Sequence, residues 1–189
     1  MAEKSKIQWT DSSWNPTTGC DKVSTGCLHC YAERVALRLQ KLGSKKYKDG
    51  FKLTLHPEDL DLPLKWKKPS KIFVDSMSDL FHKDVPFDFI DKVWAVMLKA
   101  NWHIYQILTK RPEIMLKYLE ERRKVSHALN ISPKHIWLGT SVEDSRVIHR
   151  IDILRKVPAA IRFISFEPLI GDDGELDLSN IHWVIVGGE

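Results

Sequence analysis

No apolar run in the chain approaches the roughly 20 residues that span a bilayer, and the first nine residues, MAEKSKIQW, lack the apolar core of a signal peptide. Neither a membrane protein nor a secreted one is expected, and the reading is of a cytoplasmic protein. Charge of one sign is also lacking. The 29 basic residues face 25 acidic ones, a formal net charge of +4, with both signs mixed along most of the 189 residues. Composition alone therefore permits an anionic partner without demanding one. Cysteine is scarce. The three that exist all fall within residues 20–30, an odd number that cannot pair completely as disulfides, and a reducing compartment would keep them as thiols in any case. A metal centre accounts for them better.

What is present is an alternation. Short β-branched or aromatic runs at residues 7–10, 52–55, 71–75, 103–109, 135–140, 162–166 and 182–186 read as strands. Several (IFV, IYQIL, IWLG, FIS, WVIV) are nearly continuous apolar runs, the pattern of strands covered on both faces in a parallel sheet. Between them, Phe89, Ile90, Val93, Trp94, Met97 and Leu98 fall at helical spacing, as do Met115, Leu116, Tyr118 and Leu119, and then Val147, Ile148, Ile151 and Leu154. Trp94, Trp102, Trp137 and Trp183 lie in these periodic segments and read as core. With 43% hydrophobic residues and no long linker, low-complexity tract or repeat, one domain over residues 1–189 is expected, of α/β class with right-handed crossovers.

Polar residues collect where these strands end. Asp75, Ser76, Ser78 and Asp79 follow IFV; Lys110 and Arg111 follow IYQIL; Ser141 and Glu143 follow IWLG; Glu167 follows FIS; Gly187, Gly188 and Glu189 follow WVIV. In barrels that edge carries the active site, so the expected architecture is a parallel (β/α) partial barrel of the TIM type. Asp75, Ser78 and Asp79 belong to the densest of these groups and are candidates for substrate binding or proton transfer. Turn and N-cap roles would account for the same serines and for Asp144. Basic residues are denser in 41–52 and 65–71, where Tyr47, Phe51 and Trp66 are interleaved. That is either a weak nucleic-acid footprint or two solvated loops.

The cysteines stand in TTGCDKVSTGCLHCYAE, after the first expected strand and before a helix running to about Leu42. Cys27 and Cys30, at CxxC spacing, can point at one centre, and Gly19 and Gly26 let the loop wrap so that Cys20 reaches it. A structural zinc site wants four protein ligands, and there is no fourth cysteine. A four-iron cluster on three cysteines leaves one iron open. Trp9 and Trp14 flank the loop as candidate shields.

Cys20-x6-Cys27-x2-Cys30 resembles the cluster loop of the radical S-adenosylmethionine superfamily, although six residues rather than three separate the first two cysteines. The wider string, with VDSMSDLFH (residues 74–82), LTKRPE (108–113), GTSVED (139–144), FISFEPL (163–169) and the terminal VIVGGE, resembles a phage and bacterial family of three-cysteine proteins grouped with that superfamily. The resemblance implies a 4Fe-4S cluster on Cys20, Cys27 and Cys30, with S-adenosylmethionine bound at the open iron and cleaved to a 5′-deoxyadenosyl radical by one electron from a reductant protein. It implies cofactor-binding roles for Ser141, Glu143, Glu167, Gly187, Gly188 and Glu189, an anion-receiving role for Lys110 and Arg111, and, by analogy, a nucleic acid base or nucleotide as substrate. It also implies phage or prophage origin, and further C-terminal elements beyond GGE. The competing expectation is a non-catalytic protein stabilised by zinc or a cluster and binding nucleic acid.

Overall fold

The computed structural model describes residues 5, 7–125, 132–172 and 174–187. The chain divides into two compact units, Met1–Tyr105 and Gln106–Glu189.

The first unit holds β1 (Ser12–Trp14), β2 (Thr17–Thr18), α1 (Tyr31–Lys41), β3 (Thr54–Leu55), the one-turn α2 (Leu62–Lys65), β4 (Lys71–Val74) and α3 (Phe87–Lys99). The apolar stripe read from sequence is the buried face of α3: Phe89, Ile90, Val93, Trp94 and Met97 are all nearly inaccessible. Burial of each large side chain contributes roughly 1.5–3 kcal/mol relative to exposure, so this face alone outweighs the mediocre helix propensity of its aromatic and β-branched residues. Strand β5 (Ile104–Thr109) runs across the division.

The second unit adds α4 (Pro112–Val125), β6 (Ile136–Ser141), α5 (His149–Lys156), β7 (Ile161–Phe166) and β8 (Trp183–Val186). Proline opens α4, where its missing N–H and fixed φ cost nothing, and Arg122, Arg123 and Lys124 close it against the negative end of the helix dipole. Gly139 in β6 has a packing reason: a Cβ there would stand 2.6 Å from the Phe163 ring on β7.

Six strands form one sheet in the order β1–β4–β5–β6–β7–β8. Parallel pairing sets Ser12 opposite Ile72 and Trp14 opposite Val74, Trp137 opposite Ile161 through Ser141 opposite Ser165, and Phe163 opposite Trp183 through Phe166 opposite Val186. The order climbs with the chain and never reverses. A doubly wound sheet reverses at its switch point, whereas a barrel wall grows in one direction, so the α/β class is observed and its strand order is consistent with a partial barrel.

Two strand expectations are corrected. Residues 7–10 form a turn, closed by the Thr10 N–H to the Ile7 carbonyl at 3.3 Å, and the strand is the next segment, SSW. Its alternation puts Ser12 and Trp14 inside, a signal weakened in the sequence because one of the two inward residues is a serine. Residues 54–55 pair antiparallel with Thr17–Thr18 in a separate two-stranded sheet. Of the four tryptophans expected in the core, Trp94 is there at 1% exposure, whereas Trp102 is 40% exposed. Trp137 and Trp183 pack edge to face against each other and are half-buried. Tyr47 and Trp66 are buried, so neither offers a face for stacking bases. Among the described residues, no helix is long and apolar enough to cross a membrane.

Candidate functional site

The cysteine loop leaves β2 and enters α1. Cys20, Cys27 and Cys30 are thiols of intermediate exposure, none of them in a disulfide. Cys27 closes a 3-10 turn (Thr25–Cys27), and Cys30 occupies the N-cap of α1, at the positive end of an 11-residue helix dipole. The Cys27 thiol stands 3.9 Å from the Ser24 hydroxyl, and the Cys20 thiol donates to the Asp21 carbonyl at 3.4 Å. Three thiols with no fourth cysteine in the chain fit a four-iron cluster with one open iron better than a closed tetrahedral zinc site.

The DSMSD segment turns out to be the loop's fastening. Gly19 donates to the Met77 carbonyl at 2.9 Å, Ser78 Oγ donates to the Gly19 carbonyl at 2.6 Å, and the Tyr31 hydroxyl donates to the Ser76 carbonyl. Cys20 N–H reaches the Phe51 carbonyl at 3.2 Å. Gly19 holds φ +83, and a Cβ on it would lie 2.2 Å from the Lys52 carbonyl oxygen. Only glycine passes there. Asn15 Oδ1 accepts from Met77 N–H at 3.0 Å and from Ser76 Oγ at 3.2 Å. Asp79 Oδ1 accepts from Phe81 N–H at 3.0 Å.

Asp75, one residue past β4, is 2% exposed and holds φ +59. Its Oδ1 accepts from the Thr17 N–H at 2.9 Å, tying β4 to β2 just ahead of the cysteine loop. Burial pushes its carboxyl up to about 8, against the opposing pull of the Thr17 N–H and with the Asp79 charge adding to the rise. Near neutrality it is a neutral acid. His56, also buried, joins the Thr18 hydroxyl through Nε2 at 2.8 Å, and desolvation holds it below the usual imidazole value, the Lys46 charge acting the same way. His82 is 1% exposed; its Nδ1 accepts from Asp84 N–H at 3.2 Å, and its Nε2 lies 3.3 Å from Asp21 Oδ2. Asp21 is held below the ordinary carboxylate range, chiefly by its hydrogen bond with Lys83.

In the second unit the centre is Glu143, two residues past β6 and fully buried. Its Oε1 meets Lys110 Nζ at 2.8 Å, and its Oε2 meets Arg150 Nη1 at 2.9 Å. Arg150 also donates to the carbonyl of Ser141 at 2.9 Å, which places Ser141 as the backbone anchor of this group. Two cations surround one carboxylate. The Lys110 side chain remains 19% exposed. One residue past β7, Glu167 accepts from Ser165 Oγ at 3.1 Å and lies over Gly187, where a Cβ would stand 2.4 Å from Glu167 Oε1. Leu169 N–H bonds the Gly187 carbonyl at 3.2 Å. Gly188 and Glu189 lie outside the described residues.

Sequence reasoning missed Arg150. The signal was there: it sits three residues after Val147 and four before Leu154, on the apolar stripe, where a charge implies a buried partner. His56 and the Tyr31 tether had no such pattern, since both depend on chain segments distant in sequence.

Solved structures of spore photoproduct lyase share this fold. One, a mutant with alanine in place of a cysteine, matches with a TM-score of 0.62 at 15% identity over 97% of this chain and 58% of its own. A second, a double mutant with bound AdoMet and dinucleoside spore photoproduct, gives 0.61 at 14% over the same shares. A third, with serine in place of a cysteine, gives 0.59 at 16% over 89% of this chain and 48% of its own. The chain thus spans about half the length of the solved structures it matches. A search of curated proteins finds no match. A family described as "Protein of unknown function (DUF5131)" matches residues 4–189.

Proposed function

The chain belongs to the DUF5131 family of proteins of unknown function, and we propose that it is a radical S-adenosylmethionine-type enzyme of the cytoplasm whose substrate is a nucleic acid base or nucleotide. The observation that carries this reading is the loop itself: three half-exposed thiols at Cys20, Cys27 and Cys30, with a fastening at Gly19 where a Cβ would lie 2.2 Å from the Lys52 carbonyl oxygen. The fold shared with spore photoproduct lyase supports it. So do the bound AdoMet and dinucleoside spore photoproduct of one such lyase, though at 14% identity they support it by analogy alone.

The cluster and S-adenosylmethionine, when bound and given one electron by an external donor, supply a carbon-centred radical able to take hydrogen from the substrate. The protein's part is positional. Cys20, Cys27 and Cys30 hold the iron; Ser78, Met77 and Tyr31 keep their loop from moving as charge changes on it. Asp75, neutral and buried, serves as a positioning residue that locks Thr17, and Asp79 holds the turn that follows. Lys110, backed by Glu143 and Arg150, offers a cation to a carboxylate or phosphate. Glu167, oriented by Ser165 and given room by Gly187, offers an anion to an ammonium or ribose hydroxyl, and Gly188 and Glu189 are assigned the same cofactor-binding role from the sequence.

The test is turnover of S-adenosylmethionine by anaerobically reconstituted, reduced protein. Release of 5′-deoxyadenosine that is lost in Cys27→Ala supports the reading. Zinc retained through purification, with no cleavage after reconstitution, contradicts it.

A further inference from the structure

A groove of about 850 Å³ opens in the first unit, away from the cysteines in sequence. One wall is the end of α1 and the 3-10 turn Lys45–Tyr47; the other is β3 and the 3-10 turn Pro57–Asp59. Lys45, Lys46 and Lys48 line it, against Glu58 and Asp59. These charges are not equivalent. Lys46 bridges the walls, donating to the Asn15 carbonyl at 3.0 Å and pairing with the Asp59 carboxylate, which neutralises that acid. Glu58, 3.3 Å from His56 Nδ1, is 69% exposed and stands as one carboxylate against the lysines. Lys45 and Lys48 are exposed. Lys48 is set in place through its carbonyl, which accepts from Gln40 Nε2 at 2.9 Å. Lys41 and Lys52, exposed as well, flank the segment in sequence.

We infer that this groove binds the phosphodiester backbone of a single-stranded nucleic acid through Lys45 and Lys48. The lysines are compact point charges on flexible stems, suited to successive phosphates rather than to one planar carboxylate. The buried ring of Tyr47 leaves no aromatic platform at this turn, so contact is electrostatic and indifferent to sequence. The groove has the volume of a small-ligand cleft, which admits a length of strand and not the full width of a duplex. As a statement about substrate class this rests on the proposed function, but the binding is measured without the cluster.

The experiment is fluorescence anisotropy of a labelled single strand of about 12 nucleotides, titrated with the full chain across a series of salt concentrations. The double variant Lys45→Glu/Lys48→Glu is compared with Lys67→Glu/Lys68→Glu, which changes net charge equally on another exposed stretch. Circular dichroism confirms that both are folded. The expected result is a loss of about tenfold or more for the first variant at low salt, and a salt slope shallower by about 1.4 for two lost phosphate contacts. The second variant binds as the parent does. Equal losses in both lysine variants, a duplex bound more tightly than the single strand, or no salt-dependent binding would overturn the inference. None of these outcomes touches cluster assembly, so the proposed function would stand or fall separately.

Discussion

Replacing Asp75 with asparagine is expected to make the protein more stable at alkaline pH and to flatten its stability profile. The native carboxyl titrates at about 8 instead of near the ordinary 3.8. Between those values the folded state carries a proton that the unfolded state has released. Stability from this group is therefore complete below the unfolded value and is lost as pH rises through the folded one, at about 1.4 kcal/mol per unit. From pH 5 to pH 8 that amounts to roughly 4 kcal/mol, an upper figure for a fully buried group. Asparagine keeps the acceptor for the Thr17 N–H, tolerates the left-handed backbone at φ +59, and carries no titration. Urea unfolding followed by tryptophan fluorescence at a series of pH values measures the difference. The variant should gain on the native protein steadily between pH 5 and pH 8. Parallel profiles would refute the assignment of a neutral Asp75.

Glu143→Gln leaves Lys110 and Arg150 facing each other across a buried site, and should cost about 3–5 kcal/mol in the same assay. Gly19→Ala forces a Cβ to within 2.2 Å of the Lys52 carbonyl; the backbone must shift, with a cost of about 1–3 kcal/mol and a fall in iron retained after reconstitution. Cys27→Ala should lose iron and sulfide while its circular dichroism is unchanged, because the half-exposed thiol contributes little to the core.

The later strands are legible in the sequence because IYQIL, IWLG, FIS and WVIV are nearly continuous apolar runs, and such a run is recognisable without knowledge of its neighbours. β1 is not legible. Ser12 is buried opposite Ile72, and nothing in SSW announces that a serine faces inward. The cysteines are visible as a motif, whereas the fastening of their loop is not. Asp75, Ser78 and Asp79 read as reactive because they are polar and clustered, yet each spends a side-chain oxygen on a backbone group. For Asp75 and Ser78 that distinction requires the tertiary partners Thr17 and Gly19, 58 and 59 residues earlier in the chain. Lys110 and Glu143 are each recognisable as strand-end residues. Their pairing emerges only once β5 and β6 lie side by side in the sheet order.

Electron paramagnetic resonance of the anaerobically reconstituted, reduced protein, with and without S-adenosylmethionine, tests the central claim most directly. The account predicts a cluster signal that changes shape when the cofactor is added, because a cluster on three cysteines would leave one iron open to it. A cluster signal indifferent to the cofactor, or no cluster at all, would contradict it.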